Sequence, residues 1–168
     1  IMGMIACYQM TDADMVNTLL KKTNKEVFEA IEELQEVDET VLNIDKLWDG
    51  LHFLMTKVTA SEPLEGNPLS EAVVGVKNFS DDEDADFISY ILPERVPIIV
   101  NELKLFEIEN VIEKLQPKEF AQNDIYPNIW MNVDKEEIQK ELKECFFALL
   151  KFYEEAAELK KAVIVSIY

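Results

Sequence analysis

The residues best suited to carry chemistry lie within residues 43–56, a stretch that holds the only histidine of the chain and one of its two tryptophans. Wound as a helix at about 100° per residue, this stretch places His52 on the same narrow arc as Asp45 and Asp49. Contact with a carboxylate raises the pKa of an imidazole and fixes its tautomer, as general acid–base catalysis requires. Asp45, Asp49 and His52, here called the polar seam, are therefore the candidate catalytic residues, with His52 as the acid or base and Asp49 as its orienting partner.

The polar seam also has a structural explanation, because apolar residues on the other sides of this helix predict that the helix is buried on most sides. A polar side chain in a largely apolar helix is costly unless it has a partner, and a lone histidine that bonds a neighbouring carboxylate stabilises the fold without reacting. Catalysis requires that the seam open on a cleft, whereas a structural role requires that it be sealed. The sequence favours the structural role and leaves the enzyme question open, leaning towards a protein that is not an enzyme.

Four other residues are candidates for ligand contacts. Trp48 lies on the apolar side of the same helix, Tyr126 precedes a proline in an aromatic loop, and Asn67 and Ser70 lie on either side of Pro68. Each has a structural alternative, because a large aromatic side chain usually belongs to the core, and Asn67 or Ser70 is expected to cap the segment that follows. Tyr126 either lines a pocket or closes the core, and the sequence does not separate the two.

The usual signatures of cofactor and metal sites are missing from the sequence. Four glycines are too few for a phosphate-cradling loop or a dinucleotide fingerprint. One histidine and two distant cysteines do not make a structural zinc site. Cys7 and Cys145 each lie in an apolar run, which indicates a small buried residue. We therefore predict no cofactor and no metal.

The charge balance is the most unusual property of the composition. The chain carries 34 acidic and 16 basic side chains, a net charge of −18, and acids concentrate at residues 29–45 and 80–86. A field of this sign repels nucleic acid and anionic membrane surfaces, and it favours either a basic protein partner or simply solubility. No apolar run approaches the roughly 18 residues that span a bilayer, and no secretory signal is visible, so we predict a cytoplasmic protein without a membrane partner.

The elements that must position these residues follow from the apolar spacing. Strands are predicted at residues 2–10, 87–92 and 162–168, and the most regular helix follows Asp134. Shorter helices are predicted after Thr11, where Asp14 would complete a capping pair, from Asn24, over residues 43–56, and in two segments between residues 98 and 115. Helix and strand both remain open for residues 69–79.

These elements predict an α+β fold. We expect a small mixed or antiparallel sheet that includes both chain ends, covered mostly on one face by several helices and one long C-terminal helix. No domain boundary is visible, so residues 2–168 are expected to form a single domain.

Four segments of the chain carry a resemblance to a known family. They are MGMI at residues 2–5, LNIDKLWDGLHFLMT at residues 42–56, NPLSEAVVG at residues 67–75 and IYP at residues 125–127. In these segments the chain resembles the YfbM-like proteins, a small bacterial family whose domain has no known function. The resemblance implies a single cytosolic α+β bacterial domain, and it supplies no activity, cofactor or catalytic residue.

Two functions from different classes remain. The first is an acidic interaction module that regulates or neutralises a protein partner, in the manner of an immunity protein, and the partner would be basic. The second is a small-molecule or hydrolase-like pocket built on the polar seam. Exposure of the His52 ring nitrogens and a cleft beside them would discriminate between these functions.

Overall fold

A five-stranded antiparallel sheet runs through the middle of the protein, with helices on both of its faces. In the computed structural model, residues 3–168 are described; Met2, with which the predicted first strand and the predicted domain begin, lies outside them. The strands are β1 (Ala6–Thr11), β2 (Leu42–Asn43), β3 (Lys77–Asn78), β4 (Phe87–Ile91) and β5 (Ala162–Ile167), in the order β2-β1-β5-β4-β3.

Eight α-helices and one short 3-10 turn account for most of the remaining described residues. The helices are α1 (Ala13–Leu19), α2 (Asn24–Val37), α3 (Trp48–Thr56), α4 (Pro68–Val74), α5 (Val96–Leu105), α6 (Ile108–Glu113), α7 (Pro117–Gln122) and α8 (Lys135–Glu158), and the 3-10 turn is Asp45–Leu47. No helix in residues 3–168 is long and apolar enough to cross a membrane.

The two terminal strands pair at the centre of the sheet. β1 and β5 run antiparallel from Ala6 opposite Ile167 to Thr11 opposite Ala162, and every residue of β5 is buried. The β-branched residues of β5 suit this position because they pack well on a pleated surface covered on both sides. β2 and β3 at the edges have two residues each, which leaves little unpaired backbone. The predicted α+β fold, with both chain ends in one sheet, is confirmed.

The two faces of the sheet carry cores of unequal size. Val163 and Val165 of β5 point into the larger core, which includes residues from α3 through α8. Ile164 points to the other face, where Leu19 of α1 and Ile31 of α2 form a smaller cluster. Alternation along β5 therefore separates the cores, and most of the helices lie on one side, as predicted.

The long C-terminal helix is also confirmed. α8 has 24 residues, so it is about 36 Å long. Asp134 caps its first turn by accepting hydrogen bonds from the backbone N–H groups of Glu136 and Glu137. Tyr153 in its second half is buried and donates a hydrogen bond to the carbonyl of Ala72 in α4 at 2.8 Å.

Several local details differ from the sequence predictions. Thr11 belongs to β1 and does not cap α1, whose N-cap residue Asp12 makes no side-chain cap bond. α7 was not predicted, because its six residues are too few to show a helical period. Cys7 and Cys145, which the sequence predicts to be buried, are only partly buried.

Gly50 lies in the middle of α3 where a larger residue would not fit. A Cβ atom at this position would lie 2.7 Å from Cη2 of Trp130 and 3.4 Å from Leu142 of α8. The Trp130 indole cannot easily withdraw, because it is 2% exposed and its Nε1–H donates to the carbonyl of Ile125 at 2.7 Å. The glycine therefore permits α3 to approach Trp130 and α8 closely.

We expect Gly50→Ala to destabilise the protein, although alanine favours a helix by about 1 kcal/mol relative to glycine. Overpacking against Trp130 opposes that gain and typically costs about 1–3 kcal/mol. Urea denaturation would measure the change in the free energy of unfolding. The same substitution in a Trp130→Phe background, where the crowding atoms are removed, is the control and should be better tolerated. A more stable Gly50→Ala single variant would contradict the packing argument.

Candidate functional site

The helix predicted over residues 43–56 is interrupted near its start. Residues Asp45–Leu47 form a 3-10 turn, and Asp45 has a φ of +55°, in the left-handed region. The Asn43 side chain accepts a hydrogen bond from the backbone N–H of Asp45 at 2.7 Å, which stabilises this turn. Asp45 is consequently exposed and does not continue the arc of Asp49 and His52. The prediction of a three-residue polar seam is therefore wrong.

The helix α3 itself is enclosed on all sides. Each of the eight residues from Trp48 to Met55 is buried. Phe53, on the side opposite the main apolar stripe, meets Phe120 of α7 edge to face, with ring centroids 4.8 Å apart. The expectation that this helix is buried on most sides is confirmed, and the polar side chains of Asp49 and His52 must find partners within the protein.

His52 has both ring nitrogens occupied by protein groups. The ring is 0% exposed, with Nδ1 lying 2.8 Å from the carbonyl oxygen of Val58 and Nε2 lying 2.7 Å from Oγ of Ser70. A carbonyl oxygen can only accept, so Nδ1 carries the hydrogen and donates to Val58. Nε2 is then an acceptor and receives the hydroxyl hydrogen of Ser70. The neutral Nδ1–H tautomer satisfies every one of these contacts.

The charge state of His52 differs from the sequence expectation. Burial lowers the pKa of His52 from its ordinary value of 6.5, and this effect outweighs the Val58 hydrogen bond and the charge of Asp49, which both raise it. The adjacent carboxylate acts in the predicted direction, but the predicted net rise of the imidazole pKa is wrong because burial lowers the pKa by more. Asp49 directs its carboxylate elsewhere, and desolvation keeps the buried ring neutral.

Asp49 binds three backbone and side-chain donors from two loops. Its carboxylate accepts from the backbone N–H of Ala60 at 2.7 Å, the backbone N–H of Tyr126 at 2.8 Å and the hydroxyl of Thr59 at 3.1 Å. The residue is 3% exposed. Because a buried polar side chain is tolerated when protein donors replace water, these hydrogen bonds offset the cost of burying the Asp49 carboxylate. Asp49 thus ties α3 to the loop after it and to the loop before α8.

Trp48 and Tyr126 form a stacked pair at the edge of the core. Their ring centroids are 5.2 Å apart with an interplanar angle of 25°. The indole Nε1–H donates to the carbonyl of Met4 at 3.0 Å, and the backbone N–H of Met4 donates to the Tyr126 hydroxyl at 2.7 Å. The pair therefore secures the segment that leads into β1. Trp48 is 8% exposed, which fits its structural alternative as a core residue.

Asn67 and Ser70 have different roles at the start of α4. Asn67 is the N-cap residue, and its side chain accepts from the backbone N–H of Leu69 at 2.9 Å. This confirms the predicted cap at Asn67 or Ser70. Ser70 is 1% exposed, and its Oγ accepts from the backbone N–H of Leu64 at 3.0 Å while it donates to His52.

One pair of charged residues in this region was missed by the sequence analysis. Glu71 is 6% exposed, and its Oε1 lies 2.7 Å from Nε of Arg95. Arg95 also donates from a terminal nitrogen to the carbonyl of Gly66 at 3.2 Å. The available signal was that Arg95 is the single arginine of the chain, and arginine suits a partly buried ion pair because of its planar array of donors.

These contacts converge on residues 57–67, here called the clamped loop. Asp49 binds it at Thr59 and Ala60, His52 at Val58, Ser70 at Leu64 and Arg95 at Gly66. The side chains of residues 61–66 nevertheless face solvent. The polar residues of α3 and α4 therefore hold an exposed loop in one conformation from beneath.

A cleft of about 870 Å³ lies beside the clamped loop, bordered by residues 63–66 and by Ser70, Glu71 and Arg95. Ser70 and His52 have the spacing of a nucleophile and its base. However, the His52 ring is enclosed and Ser70 Oγ already accepts a hydrogen bond from the backbone N–H of Leu64, so both members of the pair are engaged within the protein. Within residues 3–168, no group of three or more His, Cys, Asp or Glu side chains could hold a metal ion.

The structure thus brings together some of the predicted site residues and separates others. His52 and Ser70 are in contact, Asp49 contacts the backbone of Tyr126, and Trp48 stacks on Tyr126. Catalytic roles for Asp45, Asp49 and His52, and ligand contacts by Trp48, Tyr126, Asn67 and Ser70, stay predictions. The geometry supports the structural alternative at each buried position.

Asp49→Asn should lower the free energy of unfolding by about 3 kcal/mol, because the amide retains only one accepting oxygen for donors that a carboxylate satisfies with two. Asp45→Asn is the matched control. Asp45 is exposed in a left-handed conformation that asparagine adopts readily, so the same change there should cost less than about 0.5 kcal/mol. Urea denaturation of both variants measures the difference, and equal losses would contradict the assigned role of Asp49.

His52 should make stability depend on pH. Its pKa is lower in the folded protein than the ordinary value of 6.5, so the unfolded chain binds more protons as the pH falls below about 6.5. The stabilising contribution of neutral His52 to the free energy of unfolding is therefore full above that pH. It is lost on acidification, by up to about 1.4 kcal/mol per pH unit.

Denaturation of wild type and His52→Gln between about pH 7.5 and 5.5 would test this, because the window lies above the ordinary carboxylate pKa values. His52 is the only histidine of the chain, so the difference between the two slopes reports on it alone. We expect wild type to lose stability on acidification more steeply than the variant. Identical slopes would show that His52 is not held neutral.

The chain is similar to known proteins in both sequence and fold. The family model described as a domain of unknown function, DUF1877, matches residues 2–166. The chain is 28% identical over 135 residues to Protein YfbM of Escherichia coli K12, which covers 80% of each chain. The crystal structure of that protein of unknown function superposes with a TM-score of 0.78 at 23% identity, over 98% of this chain and 99% of the other. The resemblance to YfbM-like proteins is thus confirmed, and the chain belongs to the DUF1877 family.

Proposed function

We propose that the protein is an acidic interaction module that binds a basic protein partner and regulates or neutralises it. The observation that carries this proposal is the exposure of both acidic segments in a chain whose acids outnumber its bases by 34 to 16. The five ion pairs found among residues 3–168 each involve one lysine or arginine and cannot balance such an excess. The molecule therefore presents a strong negative field to solvent.

The fold concentrates part of this charge on one side of the sheet. Helix α2 and residues 80–86 border the same cavity of about 250 Å³, whose lining includes Phe28 and Phe79. The pKa of Tyr168 is raised, and burial is the largest cause. The hydrogen bond from Tyr168 to Glu32 and the charges of Glu32 and Asp86 raise the pKa of Tyr168 further. Acids from both segments thus act on one side chain. We call α2 together with residues 80–86 the acidic face.

A basic partner follows from the sign of this field. Opposite charge accelerates the encounter of two proteins and suppresses encounters with partners of the same sign. Nucleic acid and anionic membranes carry the same sign as this protein and would be repelled. The acidic face would act mainly on the association rate, because surface charges steer approach over the screening length of about 8 Å at physiological salt.

A neutralising, immunity-like role is one form of this proposal. In that form the partner is a basic toxin, and the acidic protein blocks it by binding. Genes encoding a secreted toxin beside the gene for this chain would support that form. Neighbouring genes for a basic cytosolic protein would instead support regulation.

The alternative of a small-molecule or hydrolase-like pocket has less support. It requires access to the His52 ring, which is enclosed, and a common site for Asp45 and Asp49, which face different surroundings. The cleft beside Ser70 could hold a ligand without involving His52. No contact within it favours one class of ligand.

Capture of partners by the immobilised protein from a lysate of its host would test the proposal. We expect a basic protein to be retained at about 0.05 M NaCl and released at about 0.5 M, because screening weakens charge pairing. Glu33→Gln/Glu36→Gln is the matched variant, since both glutamates are exposed on α2 and their loss leaves the core unchanged. It should slow association with the purified partner. Recovery of no protein at either salt concentration, or binding that ignores both salt and charge, would contradict the proposal.

A further inference from the structure

A groove runs along the first half of α8, on the side of the sheet opposite the acidic face. It consists of two adjoining depressions of about 520 and 260 Å³ that share Ile129 and Glu141. One wall is α8, and the other is formed by residues 43–47 and 127–134. We call this feature the α8 groove. Along the helix it extends from Asp134 to Ala148, about 21 Å at 1.5 Å per residue.

The lining of the α8 groove includes apolar side chains that remain accessible. Leu47, Ala148 and Cys145 are half-buried, and Ile129 is 38% exposed. Accessible apolar side chains that lie together in a concave surface are typical of a binding site for another chain.

The rim of the α8 groove is acidic. Glu137, Glu141 and Glu144 follow one another on α8 at helical spacing, and Asp45 faces them from the opposite wall, with Lys46 as the one base beside it. These acids also act on Cys145, which lines the groove. Burial raises the pKa of Cys145 to about 11, and the charges of Glu141, Glu144 and Asp45 contribute to this rise in that order. Cys145 therefore stays a thiol.

We infer that the α8 groove is the docking site for a basic segment of the partner protein, with apolar side chains that enter the floor and lysines or arginines that meet the rim. This inference rests on the proposed function, and it adds where the partner binds. The groove combines charge with apolar surface over a length that suits about 14 helical residues. A second copy of this chain is disfavoured as the occupant, since it would bring 18 excess negative charges to the acidic rim.

The acidic face and the α8 groove should then contribute to different rates. Charges remote from the contact change mainly the association rate, whereas apolar contacts and desolvated pairs change mainly the dissociation rate. Variants on the acidic face are therefore natural controls for variants in the groove. Each groove variant is matched with a control variant that removes the same number of charges or the same kind of apolar side chain.

The experiment uses an amphipathic peptide of about 14 residues made of lysine and leucine at helical spacing, and a second peptide in which serine replaces leucine. Glu141→Gln/Glu144→Gln alters the rim, and Glu33→Gln/Glu36→Gln is its control, because both pairs are exposed glutamates three residues apart on a helix. Ile129→Ser alters the floor, and Ile98→Ser, at an isoleucine 45% exposed on α5, is its control.

We expect the lysine–leucine peptide to bind more tightly than the lysine–serine peptide. The rim variant should weaken the lysine–leucine complex roughly three- to tenfold more than its control, because the lost charge pairs lie within the contact. Ile129→Ser should raise the dissociation rate, while Ile98→Ser leaves it unchanged. Amide chemical shifts in the wild-type titration should change mainly at residues 43–47 and 127–148.

The inference is overturned if both peptides bind equally, if neither binds at low salt, or if groove and control variants have equal effects. The purified partner, once captured, separates this failure from that of the proposed function. Salt-sensitive binding of a basic partner that is indifferent to the groove variants refutes the groove and leaves the proposed function standing. Absence of any basic partner refutes the proposed function itself.

Discussion

The buried carboxylate of Asp49 is the interaction on which the rest of the structure depends. It lies in the first turn of α3, the most enclosed of the short helices, and its oxygens receive hydrogen bonds from the loop after α3 and from the loop before α8. Removing a charge from water is costly, so this position is stable only when all the donors are in place. The donors in turn belong to Ala60 and Tyr126, so the same hydrogen bonds hold both of these loops against α3. Gly50, the next residue, allows Trp130 to close against the helix.

The sequence predicted the larger elements well and the local geometry of the site poorly. β5 and α8 could be predicted because their apolar periods extend over many residues without interruption. α3 was correctly identified as buried, since apolar residues surround its few polar ones. The turn at Asp45 was not foreseen, because a change of φ at one residue leaves no trace in the spacing of apolar residues.

The partner of His52 was also beyond the sequence analysis, for a related reason. Asp49 is three residues away in sequence and was the natural candidate, whereas the actual contacts come from Val58 and Ser70. Hydrogen bonds of a buried side chain are decided by the path of the loop that covers it. That path depends on Asp49 and Arg95 together. Local spacing can place a polar group on a helix face, but it cannot say which distant loop will satisfy it.

The pairing of β1 with β5 has a consequence for how the protein is made. Of the strands described, β5 is the last to leave the ribosome, yet it lies at the centre of the sheet and separates β1 from β4. Until residues 162–167 have emerged, β1 and β4 lack their main partner, and the apolar surface intended for β5 has nothing to cover it. Contacts between segments so distant in sequence form slowly, and open strand edges invite association with other chains. The high density of negative charge would make such incomplete chains repel one another during synthesis. The acidic composition would therefore reduce aggregation of this protein even without a partner.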